Sequence, residues 1–198
     1  MKKRWLIIIT SVLLVVAVVI AAVFGLSQPR HRTTNVQRQT HPKDITVNRF
    51  IKQVAPAAQR EQKKYHILAS ITIAQAGTES NWGRSKLAYK YNNLFGIKAN
   101  SKHQRVRMYT TENVNGKNKQ VKQYFQVYPN WAASIRAHTL LIVNGTADDH
   151  QRFQSVQRAS SYQQAAVELQ KHGYATDPNY ANELIYAIKK FHLNKYDR

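Results

Sequence analysis

From Ile67 to Gly83 the chain reads ILASITIAQAGTESNWG. Up to Ala76 these residues are apolar or small with few exceptions, and the first charge is Glu79. Such a segment predicts a helix buried on more than one side. It ends on a carboxylate, and SNWG (80–83) then breaks the helix and supplies an indole. Glu79 follows Leu68, Thr72 and Gln75 by eleven, seven and four residues. The four therefore share one helix face, apolar first and polar toward the end. Glu79 is either an end group pointing into solvent or a partly desolvated acid with a raised pKa. A carboxyl protonated near neutral pH is what a general acid requires. The residues alone leave both readings open.

Outward from this helix the pattern stays mostly helical. ITVNRFIKQVA (45–55) puts Val47, Phe50, Ile51 and Val54 on one face, and Pro56 can open a second helix through AAQREQKK. SKLAYKY (85–91) predicts a short helix. The period then changes. RVRMYTTE (105–112) and KQVKQYFQV (119–127) alternate, and the Asn-Gly between them signals a hairpin. Helices resume over 131–143, with Asn130 as cap and Gly145 past the end, over 161–172 with Gly173 as stop, and from Asp177-Pro178 onward. The expected class is α+β: helices with an inserted β-hairpin lobe, spanning residues 45–198.

Ahead of this domain lie two other segments. Lys2, Lys3 and Arg4 precede an uncharged run from Trp5 to Leu26. As a helix that run spans about 33 Å, enough to cross a bilayer. Ala17, Ala21 and Ala22 offer only a poor cleavage site, which favours a retained signal anchor over residues 1–26 with the domain outside the cell. Cleavage would instead make the protein secreted. Residues 27–44 read as a basic, flexible linker.

Thirty Lys and Arg stand against ten Asp and Glu, a formal charge of +20, and residues 45–198 alone carry +14. Such a surface favours polyanionic partners. The absence of cysteine excludes disulfides and thiolate chemistry, and the eight histidines lack metal-ligand spacing, so neither metal nor cofactor is expected. His138, on an apolar helix, reads as a hydrogen-bonded structural histidine.

Ten carboxylates are few enough to sort. Asp44, Glu61, Asp148, Asp149, Glu168, Asp177, Glu183 and Asp197 each have a sufficient structural reading in linker, helix face, loop, cap or tail. Glu79 and Glu112 remain. Between Arg84 and Lys122 there are ten bases and one acid, Glu112, where the first hairpin strand meets the turn. Surrounding cations favour its ionised form, and it either pairs with Lys117 or Lys119 or serves as a second carboxylate. One protonated and one ionised carboxyl is the division of labour of a glycoside hydrolase. Trp82, Phe95, Tyr109, Tyr124, Tyr128 and Tyr174 fall in the same segments and could stack on sugar rings, though such a residue taken singly is more often core than ligand site.

ASITIAQAGTESNWGRSKLA, YNNLFGIKA, TTENVNGK, AASIRAH and HGYATDPNYANELIYAIKKF occur in this order over roughly residues 47–197. With these pieces the chain resembles the bacterial cell-wall endo-β-N-acetylglucosaminidases, glycoside hydrolase family 73. The resemblance implies a lysozyme-like fold and hydrolysis of the N-acetylglucosaminyl-β-1,4-N-acetylmuramyl linkage of peptidoglycan. It implies Glu79 as catalytic acid, Glu112 as second acidic residue, and Asn93, Phe95 and Tyr174 as cleft residues; Gln75 and Trp82, beside the acid, complete the expected substrate-binding set. Gly77 and Thr78 depart from the bulkier aliphatic residues usual before the acid, and Asn81 stands where Gly is usual. The implied partners are peptidoglycan strands, anionic wall polymers by charge and the membrane through the N-terminal helix, with no nucleic acid, and the protein as a monomer. A lytic transglycosylase of the same fold and a non-enzymatic wall-binding protein are the rival readings. Glu112 and GYATDP argue against the first, and Glu79 is left unexplained by the second.

Overall fold

A computed structural model of the chain describes residues 38–99, 103–114 and 117–198, with the side chains of 111–114 and 117–118 left aside. The expected anchor (1–26), most of the linker and the Asn-Gly turn lie outside the described residues. Among the described residues no helix is long and apolar enough to cross a membrane.

The described residues form seven helices and one hairpin in the order α1 (Val47–Tyr65), α2 (Ala69–Ser80), α3 (Lys86–Tyr91), β1 (Arg105–Val114), β2 (Lys117–Gln126), α4 (Trp131–Asn144), α5 (Gln154–Gln157), α6 (Tyr162–Lys171) and α7 (Tyr180–Phe191), closed by a 3-10 turn, Leu193–Tyr196. The strands pair antiparallel from Arg105 with Gln126 to Val114 with Lys117, so two residues join them.

α2 is the hub. It packs against α1, α4, α6, α7 and the terminal 3-10 turn, and every residue from Ala69 to Gly77 is buried. This explains its lack of a polar face: a helix surrounded by protein has no side to give to water. Its N-cap, Leu68, has no capping side chain. Its first N–H groups are instead met from afar. Gln62 Oε1 accepts from Ala69 N at 2.6 Å, and Asp197 accepts from Ser70 N at 2.7 Å and from the Ser70 hydroxyl at 2.6 Å. The last acid of the chain is thus an N-terminal cap for the central helix, also favoured by the helix dipole.

Three expectations change. Pro56 does not open a helix; α1 runs through it. Lys52 and Pro56 are both exposed, so the carbonyl that loses its donor to the proline lies on the solvent side. α7 starts at Tyr180 rather than Asp177, whose carboxylate instead accepts from Asn179 N at 2.8 Å. The folded unit also reaches back into the expected linker. Gln39 N donates to Pro129 O, Asn92 Nδ2 donates to Gln39 O, and His41 stacks on Trp131 at 3.6 Å between centroids.

Candidate active site

The C-terminal end of α2 is built by three successive left-handed residues, Asn81 (φ 51°), Trp82 (φ 55°) and Gly83 (φ 82°). Asparagine tolerates this region better than most residues, so Asn81 serves where glycine would. Ser80 locks the turn by donating to Ala76 O and accepting from Gly83 N at 2.7 Å. The backbone reversal sends the Trp82 indole back under its own helix. There it lies edge-on to Phe191 at 4.6 Å and to Phe50 at 6.0 Å. A Cβ at position 77 would sit 2.6–2.9 Å from three carbons of that ring. Gly77 is therefore the space the indole occupies, which explains its place in an otherwise well-formed helix. Trp82 is packed against the core instead of the acid, so the expectation that it binds substrate finds no contact with the Glu79 cluster.

Glu79 occupies the last turn of α2. The residue is exposed, and its carboxyl rests against the Tyr180 hydroxyl on the protein side. Burial raises its pKa to about 6, the Tyr180 hydrogen bond opposes this, and the nearby Glu183 charge adds to it. The open edge keeps the acid in reach of a ligand and limits how far desolvation goes. The negative end of the α2 dipole disfavours the charged form in the same sense.

A chain of polar contacts aims at this carboxyl. Gln75 Nε2 donates to the Tyr180 hydroxyl at 2.9 Å, and that hydroxyl donates to Glu79 Oε1 over a long 3.4 Å. With its lone pair engaged by Gln75, the Tyr180 proton is directed to Glu79. Tyr174 stacks on Tyr180 at 5.5 Å, and its hydroxyl lies 3.0 Å from His138 Nε2. Phe95 stacks on His138 at 3.9 Å, with the rings 11° apart. Burial lowers the His138 pKa to about 3, so the ring is neutral at any working pH. Both tyrosines are pushed well above their ordinary pKa by burial. The wall beside Glu79 is thus neutral and aromatic.

Of the expected site residues, Gln75, Glu79, Tyr174 and Phe95 come together in this network. Gln75 is fully buried and donates to Tyr180. Asn93 has another task. Its amide donates to Ile97 O and Gln126 O and accepts from Ile97 N, tying the loop after α3 to β2. Glu112 lies on β1 opposite Lys119; its side chain is outside those described. The expected aromatic cluster divides: Tyr128 is core, while Tyr109 and Tyr124 are exposed on the hairpin. Sequence reasoning passed over Tyr180, whose only signal was a tyrosine one turn before the apolar face of α7. Among the described residues no group of three or more His, Asp or Glu could hold a metal ion.

Residues 55–193 match the glucosaminidase family, described as mannosyl-glycoprotein endo-beta-N-acetylglucosaminidase. The chain is 39% identical over 197 residues to the exo-glucosaminidase LytG of Bacillus subtilis, an alignment that covers 100% of this chain and 68% of that protein. It is 33% identical to the peptidoglycan hydrolase FlgJ of Escherichia coli O157:H7 over 147 residues, 71% of this chain and 45% of that one. The catalytic domain of the autolysin Auto from Listeria monocytogenes superposes with a TM-score of 0.72 at 35% identity, covering 76% of this chain and 87% of that domain.

Proposed function

The chain belongs to the glucosaminidase family, and from that premise we propose that it hydrolyses the N-acetylglucosaminyl-β-1,4-N-acetylmuramyl linkage with Glu79 as general acid. The lysozyme-like arrangement of helices with a small two-stranded sheet is the one implied by the resemblance. The protein is a glycoside hydrolase of peptidoglycan, as its relatives are. The observation that carries the assignment of Glu79 is its position: a carboxyl raised to about 6 at the rim of a neutral aromatic wall, with one oxygen held by Tyr180.

The chemistry follows from that hold. Tyr180 donates to Oε1, so the transferable proton belongs on Oε2. Oε2–H protonates the glycosidic oxygen as the anomeric carbon–oxygen bond breaks, and the muramyl 4-hydroxyl leaves neutral. Water adds at the anomeric carbon and leaves a reducing N-acetylglucosamine end. Glu112 is the proposed second carboxylate, which activates that water or stabilises the oxocarbenium-like carbon. Tyr174 is the proposed sugar-facing ring, backed by His138 and the buried Phe95 stacked on it, while Gln75 and Asn93 position others. The N-terminal run is proposed as a membrane anchor that holds the domain at the wall. Full-length protein should fractionate with membranes, and a mature form beginning near Val23 in the medium would exclude the anchor.

Digestion of purified peptidoglycan followed by identification of the new ends tests the reaction. Reducing N-acetylglucosamine is expected. Anhydromuramyl ends would show a lytic transglycosylase, and the absence of new ends a binding protein. The size of the first products separates internal cleavage from release of terminal sugars.

A further inference from the structure

The two faces of the β1–β2 hairpin differ in kind. Val106, Met108 and Thr110 pair with Phe125, Gln123 and Val121 on a face that is buried or half-buried. Glu112 falls on the same alternation. The other face carries Arg105, Arg107 and Tyr109 on β1, with Tyr124 and Lys122 across from the last two. All five are exposed, Tyr109 by 64% and Tyr124 by 39%. The cations are laid on the rings: Arg105 is 4.3 Å and Arg107 5.6 Å from the Tyr124 centroid, and Lys122 is 4.9 Å from that of Tyr109.

We propose that this outer hairpin face is a docking surface for a phosphate-bearing polymer of the cell wall, separate from the candidate site at Glu79. The proposal rests on the reading of the protein as a wall hydrolase, which places it among such polymers. A ring under a guanidinium occupies the cation's face and leaves its N–H edges free. Those edges match the oxygens of a phosphate bidentately, as an ammonium cannot. Two arginines sharing one tyrosine are also held in place before binding, so less side-chain entropy is lost. Alternate residues of a strand stand about 7 Å apart, which gives a row of cations suited to a flexible chain carrying phosphates at short intervals. No acid interrupts that row between Arg105 and Tyr109 or between Lys122 and Gln126. The charge of +20 supplies long-range attraction, and the row gives it a place to act.

The test uses the full-length chain and a triple variant, Arg105→Gln, Arg107→Gln and Lys122→Gln, with circular dichroism as folding control. Binding is measured in a Glu79→Gln background, on walls retaining their phosphate polymer, on walls stripped of it, with soluble poly(glycerol phosphate) as competitor, and on anionic lipid vesicles. The triple variant should bind polymer-bearing walls about tenfold or more weakly, with a shallower salt dependence, since exposed charges are screened over about 10 Å at 0.1 M salt. On stripped walls the two should bind alike, and poly(glycerol phosphate) should compete only with the parent. Equal binding of both to polymer-bearing walls overturns the proposal. So does equal weakening on stripped walls, which would mean a glycan contact, or a loss seen on vesicles alone, which would mean a lipid surface. Hydrolysis of stripped walls by the Glu79-containing forms reports separately on the enzyme reading: its absence in the parent would refute that reading while leaving the polymer measurement legible.

Discussion

Removing the Tyr180 hydroxyl changes what Glu79 meets in a defined direction. The hydrogen bond from Tyr180 holds the Glu79 pKa down against burial, and the charge of Glu183 holds it up. With Glu79 as the proposed general acid, activity requires its protonated form and should be lost as pH rises through about 6. In Tyr180→Phe this alkaline limb should move to higher pH, with kcat reduced because Oε1 is no longer held. In Glu183→Gln it should move to lower pH. A tyrosine that only filled space would lower activity equally at every pH and leave the limb in place, so the pH profile of kcat/KM decides. His138 adds no limb of its own, since burial keeps it neutral. At this scale the position of Glu79 on the α2 face made it a candidate, and the family resemblance singled it out. The sequence hid Tyr180, because the contact crosses 101 residues and no local pattern encodes it. It gave no sign of the left-handed backbone at Trp82 that lays the indole against Phe50 and Phe191.

Two elements at opposite ends of α2 carry predictions of their own. Gly77→Ala should gain helix propensity of up to about 1 kcal/mol, but the methyl would meet the Trp82 ring, fixed by Phe50 and Phe191. Overpacking of a fixed ring costs about 1–3 kcal/mol, so thermal unfolding should show net destabilisation. The same change in a Trp82→Leu background should be neutral or stabilising, and an equal cost in both backgrounds would refute the packing account. At the other end, Asp197→Ala removes both hydrogen bonds to Ser70. A lost helix cap costs about 0.5–2 kcal/mol, so the melting temperature should fall. The pH limb should stay where it was, because Glu79 lies a whole helix away; a moved limb would couple the tail to the site. The helix start set by the local cap Asn130 was readable from sequence. The Asp197 cap was not, since its partner is 127 residues distant and the acid read as a mere tail. Pro56 was misplaced for a related reason: a proline on the exposed side of α1 is tolerated where one facing the core would break the helix.

For the molecule as a whole, the order of apolar and alternating segments was enough to anticipate helices interrupted by one hairpin, because each segment has its own period. That α2 is the hub was foreshadowed by its missing polar face. What holds the carboxyl half in and half out of protein depends on α7 and α4 closing over the end of α2 with Tyr180, Tyr174 and His138, an arrangement of distant elements. The account's central claim is that this closure makes Glu79 the proton donor, and Glu79→Gln tests it most directly. The variant keeps the shape and cannot deliver a proton. In the parent, the raised pKa of Glu79 means that folded protein binds the Glu79 proton more tightly than unfolded protein does, so parent stability falls as pH rises from 4.5 through about 6. The glutamine form should escape that loss and unfold no earlier than the parent at neutral pH. Release of reducing ends from purified peptidoglycan, with circular dichroism as folding control, is the measurement. The account predicts a folded protein whose rate is lower by about 10²–10⁴-fold or more, and a folded Glu79→Gln enzyme releasing reducing ends at near the parent rate would contradict it.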